Sequence, residues 1–206
     1  SMERMMEVCS YLEPALTTQR EDAAHPCFQN LLIQTERLQR FGIAAHRRSR
    51  ENGSPQTKLW HLLATDANLT LFRMQSDRTA FLGRGRTVYA PRALHFPISA
   101  TADALGDMVE PCLSLRGQFV LPPGGRLRFA FVTQLAGAQE TPEVFCARYA
   151  RLDGALSTYE TALTKGAVTA RFLGLAPKMQ NLASRLVGVL AYAEQPMSFW
   201  HAQTNV

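Results

Sequence analysis

The sequence predicts a mainly β fold: a large antiparallel β-sandwich over residues 1–136, followed by an α-helical segment over residues 137–206. Three observations carry this. Short apolar runs separated by turn residues fill the first two thirds, and the best of them alternate with period two, which gives a strand one buried and one solvated face. Beyond Thr141 the apolar spacing changes to three and four, the period of a helix with one apolar side. A chain of 206 residues, 46% of them apolar, can also bury one large core or two small ones. Strands in one block and helices in the next is the order of sheet-on-sheet packing with helices appended.

Leu31 to Arg37 and Ala44 to Arg50 are weaker strand candidates. Lys58-Leu59-Trp60-His61-Leu62-Leu63-Ala64 is a compact apolar run, and Leu69 to Met74 follows it across the turn signal Asp66-Ala67-Asn68. Next comes Ser76-Asp77-Arg78-Thr79-Ala80-Phe81-Leu82-Gly83-Arg84-Gly85-Arg86, an arginine-rich loop that leaves this strand and carries one apolar pair, Phe81-Leu82. The clearest hairpin pairs Leu113, Leu115, Phe119 and Leu121 with Leu127, Phe129 and Phe131 about the turn Pro122-Pro123-Gly124-Gly125. Thr141-Pro142 opens a helix as N-cap and first residue. Asp153 is the expected cap of a second, with Leu156, Tyr159, Leu163, Ala167 and Ala170 on one face and Gly174 as its stop. Pro177 opens a third, with Met179, Leu182, Leu186 and Leu190 on one side. Such helices need a partner surface, either the sheet or a further domain.

Charge and motifs exclude more than they assign. Net charge is +5, but residues 37–92 hold eleven Arg or Lys against Glu51, Asp66 and Asp77. Nineteen of the 22 basic residues are arginine, which suits fixed hydrogen-bond networks better than diffuse attraction to nucleic acid. The stretch therefore reads as a solvated face with internal Arg–Asp pairs, with no nucleic-acid partner. Asp77 and Arg78 read as one such pair, orienting the loop. His25, His46, His61, His95 and His201 lack metal-ligand spacing, and Cys9, Cys27, Cys112 and Cys146 form no CxxC pair, so no metal and no cofactor is expected. Asp103, Asp107 and Glu110 read as loop acids. Gly83-Arg84-Gly85-Arg86 lacks the spacing and lysine of a phosphate loop, though its glycines suit positive φ, close backbone approach or a backbone nest for an anion. No nucleophile elbow or Cys–His arrangement is legible, so no catalytic residue is assigned. No run of about 18 apolar residues suggests a membrane span.

Four blocks taken together resemble the β-sandwich region of cyclic β-(1,2)-glucan synthases and of cellobiose and chitobiose phosphorylases. They are Val8 to Glu13 with Ala24 to Leu31 and Gln34-Thr35-Glu36; Ser76 to Arg86; Val109 to Arg116 with Leu127 to Thr133; and Tyr149, Leu173-Gly174 and Leu186 to Tyr192. The pattern departs at Ser76, where the family has Glu, at Glu110-Pro111, where it has Asp-Pro, and from Gln195 to Val206. The resemblance implies a supersandwich with linker helices, a module without catalytic residues that supports an (α/α)6 catalytic barrel. The implied partners are that barrel, a β-glucan or oligosaccharide, and a second copy in a homodimer. The implied location is cytoplasmic, as the soluble part of a membrane-anchored protein. Arg84, Arg86, Tyr89 and Trp60 are the carbohydrate or domain-interface candidates, and Asp77, Arg78, Phe81 and Gly83 the structural loop. The other reading is a standalone carbohydrate-binding or protein-interaction module that stacks sugars on Trp60, Tyr89, Phe96 and Trp200.

Overall fold

The computed structural model describes residues 2–39, 41–48, 57–137 and 139–191, in two compact units that divide between Leu156 and Ser157. Seven strands build the first unit: β1 (Arg4–Cys9), β2 (Ile33–Leu38), β3 (Gly42–Arg47), β4 (Lys58–Thr65), β5 (Leu69–Asp77), β6 (Pro111–Leu121) and β7 (Phe129–Leu135). They form two antiparallel sheets, one ordered β1-β6-β5 and the other β2-β3-β4-β7. The chain is mainly β in this unit, as its alternation predicts. Short helices α1 (Gln19–Ala24) and α2 (Pro26–Asn30) link β1 to β2. Thr18 opens α1 with a full capping box to Glu21, so two of the helix's free donors are satisfied by local side chains.

The inner faces meet in one core. Ile33, Ile43, Ala45, Leu59 and Leu63 come from one sheet, and Met74, Leu113, Leu115 and Phe119 from the other. Gly117 belongs on this face: a Cβ there would lie 2.7 Å from Leu69 Cδ2 and 2.9 Å from Leu63 Cδ2, so a larger residue would force those two leucine side chains to move. His61 also points inward from β4 and is 2% exposed. Its Nε2 lies 2.8 Å from Ser10 Oγ and its Nδ1 2.8 Å from Thr133 Oγ1. Burial holds its pKa down at about 4, against a weaker opposing pull from a backbone hydrogen bond at Val132. The ring is neutral at ordinary pH.

The outer faces are covered too. α4 (Pro142–Tyr149), capped by Thr141 with Pro142 in its first turn, lies on the outside of the four-stranded sheet. There Phe145, Cys146 and Tyr149 pack on Leu38, Ala44, Trp60, Leu62 and Ala64. That explains why β4 is apolar from Leu59 to Ala64 but for His61: it is buried on both sides. The first compact unit therefore extends past residue 136 to include α4.

Two sequence expectations are corrected. β6 and β7 do not pair with each other; β6 lies between β1 and β5, while β7 borders β4. The Pro122–Gly125 turn carries the chain from one sheet to the other, as Asp66-Ala67-Asn68 does between β4 and β5. Packed sheets stand about 10 Å apart, and the seven-residue connection spans that gap where a two-residue hairpin loop would not. Trp60 is 1% exposed, because Phe145 sits 5.2 Å away, ring to ring, over its outer side; it offers no sugar platform.

α5 (Leu152–Phe172) begins at Leu152, one residue before the expected cap Asp153, and Gly174 follows its end at φ 66°. α6 (Pro177–Ala191) opens at Pro177. On α5, Tyr159, Leu163 and Phe172 are exposed, and on α6 so are Met179, Leu182 and Leu186. The side chain of Leu190, Tyr192, Trp200, His201, and Arg50 at the end of the β3 candidate lie outside the described residues. All four cysteines are free, with Cys112 and Cys146 buried, Cys9 half-buried and Cys27 exposed. Burial pushes the Cys112 thiol up to about 12, far from a reactive thiolate. Among the described residues no helix is long and apolar enough to cross a membrane.

Candidate functional site

The outer face of the β1-β6-β5 sheet is built differently. Even-numbered β6 residues Cys112, Ser114 and Arg116 point outward, yet all are buried, because residues 78–104 fold back over them. This cover starts where β5 ends. Asp77 is the N-cap of the one-turn helix α3 (Arg78–Leu82), accepting a hydrogen bond from Ala80 N at 3.1 Å. Phe81 and Leu82 plant that helix on Cys112, at 2% and 5% exposure. Tyr11 stacks on Phe81 with ring centroids 4.9 Å apart.

Arg78 is the knot of the loop. Its Nε donates to Glu13 Oε1 at 2.9 Å and its Nη1 to Glu110 Oε2 at 3.0 Å, while its backbone N–H donates to the Glu110 carbonyl. The two carboxylates hold the guanidinium well above its ordinary pKa. Glu13 is pulled the other way: burial raises its carboxyl, but hydrogen bonds from Tyr11 and Arg78 outweigh that and lower it. The pairing expected within Asp77-Arg78 is thus replaced by two different jobs, a helix cap and a clamp across the chain. Three of the motif blocks, Val8–Glu13, Ser76–Arg86 and Val109–Arg116, meet at this one residue. Glu13 and Glu110 lie 65 and 32 positions from Arg78, so no local spacing could pair them. The only signal in the sequence was that the three blocks occur together.

Beyond the clamp the chain makes a shaped projection. Gly83 closes α3 at φ 80°, and a Cβ there would come within 2.7 Å of Arg92 Cβ; both the left-handed backbone and the close approach demand glycine. The Arg86 N–H returns to the Gly83 carbonyl and the Ala90 N–H to the Thr87 carbonyl. Pro91 then leads into a 3-10 turn at Arg92–His95, with the Arg92 guanidinium 5.8 Å from the Phe96 ring centre. Arg84 and Arg86 are exposed here, beside Val88 at 50%, Tyr89 at 95% and Phe96 at 48%. The arrangement presents two cations and a bare phenol ring from a fixed base. That chemistry suits stacking against a sugar face with guanidinium hydrogen bonds to its hydroxyls, or docking against a second protein surface.

Two residues of this face were not singled out by sequence reasoning. Arg116 is buried under the cover, its Nη2 2.6 Å from Glu7 Oε2 and its Nη1 2.8 Å from the Ala93 carbonyl. Arg73 donates from Nε to the Thr101 carbonyl at 2.7 Å. Together they tie the cover to β5 and β6. Asp103 pairs with Arg37 and accepts from Met74 N, so this loop acid is structural. Among the described residues no group of three His, Cys, Asp or Glu side chains is placed to hold a metal.

Comparison with known proteins agrees with this architecture. The family model of the glycosyl hydrolase 94 supersandwich domain matches residues 1–152. Cyclic beta-(1,2)-glucan synthase NdvB of Rhizobium meliloti (strain 1021) is 30% identical over 195 residues, which cover 93% of this chain. The chain spans only 7% of that relative's length.

Proposed function

As this chain belongs to the glycosyl hydrolase 94 supersandwich family, we propose that it is a supporting module of a carbohydrate-active enzyme of the cyclic β-glucan synthase or glycoside phosphorylase type, without catalytic residues of its own. Its work is to brace an (α/α)6 catalytic barrel and to present part of the carbohydrate-site rim, with the α5–α6 segment serving as linker. The observation that carries this reading is the clamped projection at residues 83–96. Its base is fixed by Arg78, Phe81 and Leu82, while its outer residues Arg84, Arg86 and Tyr89 touch solvent. A rigid base under exposed cations and an aromatic ring fits a surface shaped for something outside this unit.

The test is activity and binding with the isolated chain. Incubation with β-glucan and inorganic phosphate should release no sugar phosphate; turnover above background would sink the supporting role. Addition of the chain to a barrel fragment of a family member should restore activity, and Arg84→Ala with Arg86→Ala should weaken that restoration.

The second reading, a carbohydrate-binding module acting alone, rests on Tyr89, the one bare aromatic of the three candidates, Trp60, Tyr89 and Phe96, that lie among the described residues. Calorimetric titration with β-glucan oligosaccharides separates the two: heat that Tyr89→Ala abolishes favours direct binding, and no heat at millimolar sugar leaves the scaffold.

A further inference from the structure

A cleft under the cover of the β1-β6-β5 sheet has the chemistry of an anion site. Arg73 and Arg116 stand directly opposite each other in the β5–β6 register, as do Gln75 and Ser114. All four point to the covered face and line one cleft, which Thr101 and Phe81 help close. Like charges directly opposite on neighbouring strands repel. Arg116 has one carboxylate to answer it, Glu7. Arg73 has none among the described residues: its guanidinium donates only to the Thr101 and Phe72 carbonyls. No acidic side chain among the described residues lines the cleft. The two cations therefore face a space with a surplus of positive charge and hydrogen-bond donors.

Arg116 points to the same gap. Its side chain is 5% exposed, yet its buried Nε–H finds no acceptor among the described residues. A buried donor left unpaired is costly, and a charged one more so. The free space measures about 30 Å³. That exceeds the ~10–15 Å³ a single water needs on the same kind of measure, and is too small for a sugar ring.

We propose that this cleft binds a small free anion, of halide to carboxylate size, held between the Arg73 and Arg116 guanidiniums with the Ser114 hydroxyl as a further donor. The anion neutralises the cross-strand repulsion and pins the 93–104 cover to β5 and β6. The site is distinct from the Arg84–Tyr89 projection and does not depend on any barrel, so it stands or falls apart from the proposed function.

The experiment is thermal unfolding of the whole chain in sodium chloride against sodium gluconate at equal ionic strength, because gluconate is too large to enter. Chloride should raise Tm saturably, by about 2–4 °C at several times its dissociation constant, and bromide should do the same. Arg73→Gln should erase the difference between the salts. In solution, excess broadening of the chloride-35 resonance by the wild-type chain, reversed by bromide, should be absent with Arg73→Gln. Should that variant fold poorly, Ser114→Val, which fills the cleft without removing a charge, must erase the response in its place. Equal Tm in the two salts, or a chloride response that survives both substitutions, would overturn the proposal.

Discussion

The two sheets wear opposite kinds of cover on their outer faces. Over β2-β3-β4-β7 lies α4, and the contact is apolar: Trp60, Phe145, Tyr149, Leu62. Over β1-β6-β5 lies an irregular segment, and the contact mixes an apolar anchor at Phe81, Leu82 and Cys112 with buried or half-buried polar groups at Arg116, Ser114, Arg73 and Glu7. An apolar contact is non-directional and roughly proportional to the area removed from water. A polar one requires each donor to find its acceptor, so it fixes the path of the chain closely. The helix-covered face holds the fold together, whereas the loop-covered face sets the shape of the exposed projection.

Substitutions rank the two faces. The largest loss should come from the apolar side: Trp60→Ala removes a fully buried indole and costs about 3–5 kcal/mol by urea unfolding. A loss below 1 kcal/mol would mean that α4 does not seal that face. On the polar side, Arg116→Met takes the guanidinium from the Glu7 carboxylate and from the Ala93 and Phe96 carbonyls, and should cost roughly 2–3 kcal/mol. Its distinguishing mark is local: amide exchange should quicken across residues 93–104 while α4 keeps its protection.

Between pH 7.5 and 5, acid should act on the core between the covers. His61 titrates at about 4 in the folded chain and near 6.5 when unfolded. Below 6.5 the unfolded state therefore takes up a proton that the folded state refuses. Stability falls as pH drops through that window, by about 2 kcal/mol between pH 7.5 and 5. His61→Leu should flatten this slope in urea titrations run at each pH. A slope that persists unchanged would move the sensitive group elsewhere.

Smaller effects belong to the clamp and the projection. Asp77→Ala loses the α3 cap and should lower stability by about 1 kcal/mol, with Asp77→Asn nearly neutral because Asn caps as well. Tyr89→Ala and Arg84→Ala should stay within about 0.5 kcal/mol of wild type, since both side chains are exposed. A large Tm loss at either would make the projection part of the fold rather than a surface offered to a partner.

Much of this was written locally in the chain. The apolar alternation of β6, the double-sided apolar run of β4, the Thr141-Pro142 start of α4, the Gly174 stop and the Pro177 start each depend on a few adjacent residues. Backbone dihedrals and side-chain period are properties of such short windows. The apolar Phe81-Leu82 pair and the glycines at 83 and 85 were visible for the same reason. Which strand lies beside which was not. Period-two alternation reads the same whichever neighbour a strand takes, so β6 and β7, adjacent in sequence, looked like a hairpin and are parted between two sheets. Trp60 looked available for a sugar until α4, some eighty positions later, came down on it. Arg78 found its carboxylates on two distant segments, and the Arg73–Arg116 pair came together only through the β5–β6 register. Strands β2 to β7, the starts of α4 and α6, the Gly174 stop and the turns could be read from the residues alone, because those are set by steric and hydrogen-bonding preferences within a few residues; β1 and the short helices α1, α2 and α3 were not read that way. The burial of Trp60 and His61, the Arg78 clamp and the arginine-lined cleft came from long-range packing, because each is made by groups that distant segments bring to one place.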